Sequence, residues 1–420
     1  MTIRVLYIDG DGPFGGASRS LFEAVRALPA GEVEPYFAAS RGTALDVYRQ
    51  VAKDAVSTRA MSKFDNTLYS HYRGIRWLIL LRELFHIPFS IAAMVWAYRK
   101  FKNVDLVHLN EVVYIFPALI AKRLFGVPLV VHVRSLTAHD MRSKRTRWLT
   151  RTLAREAAAV IAINHNTRAT LSADLPVEII QNSFTAKLAP KQDAHILAKL
   201  DALRPGSLKV GFVGNLHHSK GLYEMIEAAK ILRQSGRDVE FVVVGGVTLQ
   251  DKGLKAWLLA RAGLAQNVEA DLGELIVQEG LAECFHLLGA TFDIKCVYDR
   301  LDVLLFPSHY DAPGRPVFEA AFSGVPSIVA VSNPYPDTLV DGETGIAIPA
   351  KDPKALADAI LHFADYPEEV QRMGENARKL AESNFDPATN ARRLLGVYQR
   401  VLGVSSQSAS AELTHGITTQ

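Results

Sequence analysis

The sequence predicts an α/β protein of two Rossmann-like domains, each a doubly wound parallel sheet. The chain has 420 residues, whereas a typical single domain has about 100–200. Short apolar segments of strand length alternate with longer helical patterns, which is typical of a parallel sheet covered by helices. The alternation occurs twice, on either side of a stretch that carries Pro190 and Pro205 and shows no strand pattern. We therefore expect two domains of similar size.

The predicted strands are the short apolar runs between the helical patterns. In the first half they are Ile3–Asp9, Glu34–Ser40, Asp105–Asn110, Leu129–Ser135, Ala159–Asn164 and Val177–Ser183. In the second half they are Lys209–Asn215, Val239–Gly246, Glu283–Gly289, Val303–Ser308, Ser327–Val331 and Gly345–Pro349. Two late helices are predicted to begin at Asp352-Pro353 and Asp386-Pro387, because a carboxylate caps the free N–H groups and proline fits the first turn.

These elements set the predicted domain boundaries. We expect an N-terminal domain at 1–185, a linker at 186–207 and a C-terminal domain at 208–384. A final helix at 385–403 is expected to pack back on the N-terminal domain. Residues 404–420 are small and polar without a periodic apolar face, so they are predicted to be disordered.

The composition is that of an ordinary globular protein, with 49% hydrophobic and 22% charged residues. The net charge of +3, from 47 basic and 44 acidic residues, gives no support to a nucleic-acid partner. The two cysteines, Cys284 and Cys296, suggest neither a disulfide framework nor a zinc site, which favours a cytoplasmic location. The N-terminal strand leads directly into a glycine loop and lacks the features of a signal peptide, so export is not expected.

The most apolar region is Trp77–Ala97. It is interrupted by Arg82, Glu83, His86 and Pro88, and we therefore predict that it does not cross a membrane.

The same region is rich in basic side chains. Residues 73–102 carry six basic side chains and one acidic, and residues 139–155 again carry six and one. Apolar side chains such as Phe85 and Trp96 are interleaved with the first set, a pattern that fits peripheral contact with an anionic membrane surface. A buried pair of helices with a basic rim explains the pattern equally well, and the sequence leaves both interpretations open.

A glycine-rich loop follows the first predicted strand. Gly10, Gly12 and Gly15 match the pattern G-x-G-x-x-G, and Gly16 opens a helix. Free N–H groups and the positive end of a helix attract phosphate. A dinucleotide site also requires an acidic residue at the end of the second strand, where this chain has Ser40 and Arg41. A sugar-phosphate or acceptor contact, a structural turn and dinucleotide binding all remain open for this loop.

The second half carries a stronger pattern. The loop from Gly214 to Gly221 follows a strand, precedes an amphipathic helix and contains Lys220, whose ammonium suits a diphosphate. A solvated lysine at a helix start explains that loop equally well when it is considered alone. The block Phe306–Pro326 follows later and places two carboxylates, Asp311 and Glu319, around a strand end and a helix start.

Together these motifs resemble those of the retaining glycosyltransferases of the GT-B fold, of the group 1 and family 4 type. That family includes bacterial mannosyl- and glucosyltransferases of surface polysaccharide synthesis. Its E-x7-E motif is matched by Asp311 and Glu319, its lysine loop by Gly214–Gly221, and its N-terminal glycine pair by Gly15-Gly16. Smaller matches agree in order, namely Asp105-Leu106-Val107-His108, Val131-His132-Val133-Arg134, Ile180-Gln181-Asn182 and Val340-Asp341-Gly342-Glu343-Thr344-Gly345.

The resemblance implies two domains facing a central cleft, with a nucleotide-sugar donor held mainly by the C-terminal one. Glu319 would accept hydrogen bonds from the ribose hydroxyls, and Asp311 would hold the sugar hydroxyls. Lys220, with Arg315, would neutralise the departing diphosphate. The remaining donor contacts implied by the motifs are Gly15, Gly16, Gly214, Asn215 and Gly314.

For the N-terminal domain, the resemblance implies acceptor binding and an active-site histidine, His132, near the donor sugar. A histidine satisfied within a strand-end network is the alternative, and it applies equally to His108 and Arg134. The family transfers a hexose-type sugar with retention, without a protein nucleophile, a metal or another cofactor. The implied partners are a UDP- or GDP-sugar donor and a glycan acceptor. The acceptor would be lipid-linked if the basic stretches contact the inner face of the plasma membrane. The implied role lies in bacterial surface polysaccharide or lipopolysaccharide synthesis.

Two positions depart from the family pattern. Asn215 stands where an arginine is common, so one cation expected on the diphosphate is missing. Asp311 is one methylene shorter than the usual glutamate, which leaves the donor sugar uncertain. Two other functions remain as alternatives: an NAD(P)-dependent oxidoreductase built on the first glycine loop, and a non-catalytic GT-B-fold partner protein.

Overall fold

The computed structural model describes residues 2–68, 78–185, 193–246 and 268–404. The chain divides into two compact units. Unit 1 contains the residues up to Ser183 together with those from Phe385 onwards, and unit 2 spans Phe184–Asn384. Part of the predicted linker (186–192) and the predicted disordered tail from 405 onwards lie outside the described residues.

Unit 1 is built on a parallel sheet. Among its described residues, seven strands pair in the order β3-β2-β1-β4-β5-β6-β7. Their bounds are β1 (Ile3–Asp9), β2 (Val33–Ser40), β3 (Asp54–Thr58), β4 (Leu106–Leu109), β5 (Leu129–Val133), β6 (Ala159–Ala162) and β7 (Val177–Ile179). The strand β3 is absent from the predicted set, because it is a short edge strand in which only Val56 and Thr58 are buried.

Helices cover both faces of this sheet. They are α1 (Gly16–Arg26), α2 (Thr43–Tyr48), α3 (Leu78–Lys100), α4 (Ile115–Phe125), α5 (Lys144–Glu156), α6 (His165–Ala169) and the last helix of the chain, α14 (Pro387–Leu402). Neighbouring residues of a strand point to opposite faces. Leu6 and Ile8 pack in a core cluster with residues of α3, α4 and α5, whereas Val5 and Tyr7 pack in another with residues of α1, α2 and α14.

Unit 2 repeats this architecture. Its described residues form a six-stranded sheet in the order β10-β9-β8-β11-β12-β13, with all neighbours parallel. The strands are β8 (Leu208–Val213), β9 (Val239–Val244), β10 (Phe285–Gly289), β11 (Val303–Phe306), β12 (Ser327–Ala330) and β13 (Gly345–Ile348). The helices are α7 (Ala194–Asp201), α8 (Leu222–Arg233), α9 (Val268–Gln278), α10 (Ile294–Tyr298), α11 (Arg315–Phe322), α12 (Pro353–Asp365) and α13 (Pro367–Asn384). The predicted class of two Rossmann-like parallel-sheet domains is confirmed.

Both predicted late helix starts are present. The Asp352 carboxylate accepts a hydrogen bond from the Ala355 N–H at 2.9 Å, and the Asp386 carboxylate accepts one from the Thr389 N–H at 2.7 Å. Since Pro353 and Pro387 occupy the first turns, they give up no intrahelical hydrogen bond. The second of these helices, α14, belongs to unit 1, where its Tyr398 is buried.

The stretch predicted as a linker contains α7. Asp193 caps this helix by accepting from the Ile196 N–H, and Ile196 and Leu200 are buried. The residues from Ala194 to Asp201 are therefore a folded element of unit 2.

The helix α3 contains most of the apolar region that was predicted not to cross a membrane. It runs without a break through Pro88, and Ile79–Lys100 has the length and composition of a membrane span, with 22 residues and a mean hydropathy of 1.4. The prediction that its charged and proline residues rule out a span is therefore wrong on these two criteria. A single helix of this kind is weak evidence for a span, since helices of globular cores meet the same criteria. Only 22% of the apolar window is buried, so most of its surface has no protein neighbour among the described residues.

Candidate functional site

In unit 2 the strand order reverses between β8 and its neighbour β11, because β9 lies on one side of the pair and β12 on the other. Open α/β sheets bind ligands at such a reversal, beyond the carboxyl ends of the strands. The loop after β8 contains Gly214–Gly221 and the loop after β11 contains Pro307–Gly314. The two predicted donor motifs of the second half thus leave adjacent strands at the same edge.

Hydrogen bonds join these two loops. The His309 N–H donates to the Ser219 carbonyl at 2.9 Å, and the Ser219 hydroxyl donates to the Tyr310 hydroxyl at 2.9 Å. His309 Nε2 lies 2.8 Å from Glu224 Oε1, which connects the second loop to α8. At Gly221, φ is +78° and a Cβ would lie 2.1 Å from the Pro307 carbonyl oxygen. Glycine is therefore required where the loops touch.

Lys220 lies beside aromatic rings at this junction. Its Nζ is 5.0 Å from the centre of the Tyr310 ring and 5.6 Å from that of Phe306, within the range of cation–π attraction. Burial lowers the pKa of Lys220. Within the described part of the chain no carboxylate forms an ion pair with Lys220, so its charge is available to an anionic ligand.

Glu319 and Arg315 form an ion pair on α11. The Arg315 Nη2 lies 2.9 Å from Glu319 Oε1, and the Tyr298 hydroxyl donates to Glu319 Oε2 at 3.1 Å. Glu319 is buried within α11, and these two contacts hold its carboxylate in place. Arg315 was predicted to neutralise a diphosphate with Lys220, but in this structure it pairs with Glu319.

The other predicted donor residues lie on the same two loops. Asp311 has a left-handed backbone with φ of +26°, and its carboxylate accepts a hydrogen bond from the Ser332 N–H after β12. Gly314 approaches Phe306 so closely that a Cβ would lie 2.5 Å from the ring. Gly214 N–H donates to the Val244 carbonyl at 3.0 Å, and Asn215 is exposed. The structure thus brings Lys220, Asp311 and the start of α11 to one edge of the unit 2 sheet.

Unit 1 has its own reversal, between β1 and β4. The first glycine loop follows β1, and Gly15 is the N-cap of α1 with both Gly15 and Gly16 exposed. The neighbouring β2 ends at Ser40 and Arg41, without the carboxylate that a dinucleotide ribose would need. The predicted glycine pair therefore lies at a helix N-terminus in unit 1, separate in the chain from the unit 2 loops.

His132 is a buried residue near the end of β5. Its Nδ1 accepts a hydrogen bond from Arg134 Nη2 at 3.3 Å. The pKa of His132 lies well below its usual 6.5, mainly because the side chain is buried. The charge of Arg134 lowers the pKa further, and His108 has a smaller effect in the same direction. The ring is therefore neutral at physiological pH. His108, on β4, is also buried, and burial followed by the Arg134 charge lowers its pKa to about 3.

Two buried carboxyl groups of unit 1 were not among the predicted site residues. Burial, followed by the nearby Asp11 charge, raises the pKa of Asp9 to about 6, although the Tyr48 hydroxyl donates to it. Burial raises the pKa of Glu111 to about 7, while the Ser135 hydroxyl donates to it at 2.8 Å. Asp9 is the last residue of β1 and Glu111 follows the end of β4. Their position at strand ends was the signal in the sequence that could have identified them.

Two family models match the chain in succession. The model "Glycosyltransferase Family 4" matches residues 14–184, and the model "Glycosyl transferases group 1" matches residues 199–380. The first match falls in unit 1 and the second in unit 2.

Curated relatives agree with these models. The chain is 26% identical to a glycogen synthase of Mycobacterium tuberculosis over 305 residues, which cover 70% of this chain and 68% of the relative. It is 26% identical to the lipopolysaccharide core biosynthesis mannosyltransferase LpsB of Rhizobium meliloti over 330 residues, which cover 77% of this chain and 85% of the relative.

A solved structure shows the same fold over almost the whole chain. Anabaena HepE in complex with UDP-glucose superposes with a TM-score of 0.69 at 20% identity, over 95% of this chain and 100% of HepE. At this identity the likeness concerns the fold.

Proposed function

Because the chain belongs to the glycosyltransferases of the GT-B fold, we propose that it moves a hexose-type sugar from a nucleoside-diphosphate donor to a glycan acceptor, with retention of the anomeric configuration. The observation that carries this proposal is the junction of the two unit 2 loops. There a half-buried Lys220, which has no carboxylate partner among the described residues, lies beside the loop that bears Asp311, at the point where α/β sheets bind ligands.

Each part of the donor has a matching group in unit 2. The Lys220 ammonium attracts the diphosphate, and its partial burial next to two aromatic rings strengthens that attraction. Glu319, held by Arg315 and Tyr298, accepts from the ribose hydroxyls. Asp311 and the N–H groups that follow it bind hydroxyls of the sugar. The UDP-glucose bound in HepE supports UDP as the nucleotide to test first.

The proposed reaction is a direct exchange at the anomeric carbon. The bond from C1 to the diphosphate oxygen breaks, and the acceptor hydroxyl oxygen forms a bond to C1 from the same face. The acceptor proton passes to the departing diphosphate, which leaves with the electron pair of the broken bond. Lys220 stabilises the negative charge that develops on the diphosphate.

We also propose that the transfer needs neither a metal ion nor another cofactor. The support is that Lys220 supplies a cation where the diphosphate charge develops. Treatment with EDTA followed by assay in metal-free buffer tests this point. Full activity is expected, and a loss that Mg²⁺ or Mn²⁺ restores would contradict it.

The acceptor side of the proposal is a lipid-linked glycan at the cytoplasmic face of the plasma membrane, in surface polysaccharide or lipopolysaccharide synthesis. One support is the similarity to LpsB. Another is α3, where Leu81, Leu84 and Phe85 are 62%, 52% and 64% exposed. An apolar face of this extent is unusual on a monomer that contacts only water. Arg99, in the last turn of α3, favours an anionic lipid surface.

The experiment for the function is a turnover screen with UDP-, GDP- and ADP-sugars, scored by release of the nucleoside diphosphate. Proton NMR of the product from the best donor then reports the anomeric configuration. Release with one donor and a product of the donor's own configuration is expected. A product of inverted configuration would contradict retention, and reduction of NAD(P) without any sugar transfer would favour the oxidoreductase alternative.

A further inference from the structure

The two ring nitrogens of His132 have different surroundings. Nδ1 lies 3.3 Å from Nη2 of Arg134. Nε2 is fully buried and has no hydrogen-bond partner among the described residues. The ring centre of His108 lies 5.6 Å from that of His132. The two rings nevertheless form no hydrogen bond through Nε2, because the Nε2 of His108 also has no partner among the described residues.

The contact with Arg134 determines which nitrogen of His132 carries the proton. A guanidinium is always protonated in proteins and has no lone pair to accept a hydrogen bond. Arg134 can therefore only donate, and Nδ1 of His132 must be the unprotonated acceptor. Since burial and the Arg134 charge keep the ring neutral, its single proton is on Nε2.

Arg134 is itself held in place by two asparagines. Its Nε donates to the Asn110 side-chain oxygen at 2.8 Å and to the Asn110 carbonyl at 3.2 Å. Its Nη1 donates to the Asn182 side-chain oxygen at 2.6 Å. Asn110 follows β4 and Asn182 follows β7, so the guanidinium is attached at both sides of the strand that carries His132. Rotation of Arg134 away from His132 would break these bonds.

We propose that Arg134 is a positioning residue that fixes His132 as its Nε2–H tautomer, so that a buried N–H donor is ready for an oxygen atom of the substrate. A buried donor without a partner is costly and rare in native proteins. A ligand oxygen that accepts from Nε2 removes that cost on binding. The identity of this ligand as a sugar rests on the proposed function, whereas the tautomer does not.

The tautomer is measured on the free protein. Long-range proton–nitrogen correlation spectra of the full chain, labelled with ¹⁵N-histidine, distinguish Nδ1–H from Nε2–H, and His132→Gln assigns the signal. The Nε2–H form is expected in the native protein at pH 7. A native His132 protonated on Nδ1 or on both nitrogens would overturn the proposal without any variant of Arg134.

Arg134→Met then removes the donor while keeping an unbranched side chain. The His132 signals are expected to shift towards a mixture of tautomers. The control Arg147→Met removes a half-buried arginine whose Nη1 donates to the Met141 and Arg142 carbonyls, and it should leave the His132 signals unchanged. Unchanged tautomer signals in a folded Arg134→Met protein would contradict the role of Arg134.

Kinetics connect the tautomer to the reaction. Arg134→Met is expected to lower kcat about tenfold with a smaller change in the donor KM, because the Nε2–H contact counts most in the transition state. If the native chain releases no nucleotide from any donor, the proposed function fails while the tautomer result stands. If the native chain is active and Arg134→Met retains full kcat, the positioning role fails while the function stands.

Discussion

Arg315 and Glu319 lie one helical turn apart on α11, and their side chains form an ion pair of 2.9 Å beside the loop that carries Asp311. This pair, with the Tyr298 hydroxyl, fixes the carboxylate that we assign to the ribose. We therefore expect the arginine to act on the nucleotide through Glu319.

Removing the arginine should weaken nucleotide binding without abolishing it. In Arg315→Met, Glu319 loses its ion pair with Arg315, and we expect the Kd for the nucleoside diphosphate to rise about tenfold, which corresponds to about 1.4 kcal/mol. Glu319→Gln keeps the size of the side chain but loses the charge, and it should weaken binding by a similar factor. Calorimetric titration measures both. A native Kd in Glu319→Gln would remove Glu319 from the donor site.

Two glycines on the predicted phosphate loops should respond differently to alanine. Gly221→Ala forces a side chain into a left-handed backbone and against the Pro307 carbonyl, so we expect a loss of about 2 kcal/mol or more in the free energy of unfolding. Gly15 has φ of −121°, and a Cβ added there would meet no atom within 4 Å. Gly15→Ala should therefore be as stable as the native protein in chemical denaturation.

This difference makes Gly15→Ala a specific probe of unit 1. If its helix N-terminus contacts the donor or acceptor, the added methyl group lowers activity in a fully stable protein. Native kinetics in Gly15→Ala would show that Gly15 does not contact the substrate, and the glycine pair would then be a structural turn.

Glu111 should make stability depend on pH. Burial raises its pKa to about 7 from a usual 4.5, so its neutral form stabilises the folded state fully below about pH 4.5, and this contribution is lost as the pH rises through 7. The shift corresponds to about 3 kcal/mol across that interval. Glu111→Gln should therefore gain stability relative to the native protein between pH 5.5 and pH 8.5, measured by thermal unfolding. Glu375→Gln, which changes an exposed glutamate, is the control. If the stability difference between Glu111→Gln and the native protein stays constant with pH, the raised pKa of Glu111 is contradicted.

The exposed face of α3 should bind anionic lipid. We expect the native chain to sediment with vesicles that contain phosphatidylglycerol, and the double variant Leu81→Ser/Phe85→Ser to bind about tenfold more weakly, because two apolar side chains no longer leave water. The control Val277→Ser/Phe292→Ser changes two exposed apolar residues of unit 2 and should bind like the native protein. Equal binding of both variants would place the membrane contact elsewhere.

Much of the fold could be predicted because strand burial follows directly from local sequence. The strands β5, β9 and β11 are apolar except for His132 and Glu240, as is typical of sheets covered on both faces. The Asp-Pro pairs marked helix starts. The edge strand β3 was missed since its sequence Asp54–Thr58 mixes polar and apolar residues and is only partly buried. The apolar region Trp77–Ala97 was predicted not to cross a membrane because charged residues and Pro88 interrupt it, whereas α3 continues through Pro88 and meets the length and composition of a span.

The site was predictable as a set of motifs but not as a set of contacts. Lys220, Asp311 and Glu319 were predicted from two motifs, one in the loop after β8 and one in the loop and helix after β11. The bonds from Arg134 to Asn182 and from His309 to Glu224 join residues 48 and 85 positions apart, and no periodicity encodes such pairs. The pairing of Arg315 with Glu319 changed the role of the arginine, since a side chain bonded to a buried carboxylate is less available to a phosphate.

The most direct test of the central claim is the thermal shift produced by a nucleoside diphosphate in the native chain and in Lys220→Met. Ligand binding to the folded state raises the melting temperature. We expect UDP or GDP to stabilise the native chain and the control Lys354→Met, whose exposed ammonium pairs with Asp358, but not Lys220→Met. An absence of any shift in the native chain, or a full shift in Lys220→Met, would contradict a donor site built around Lys220.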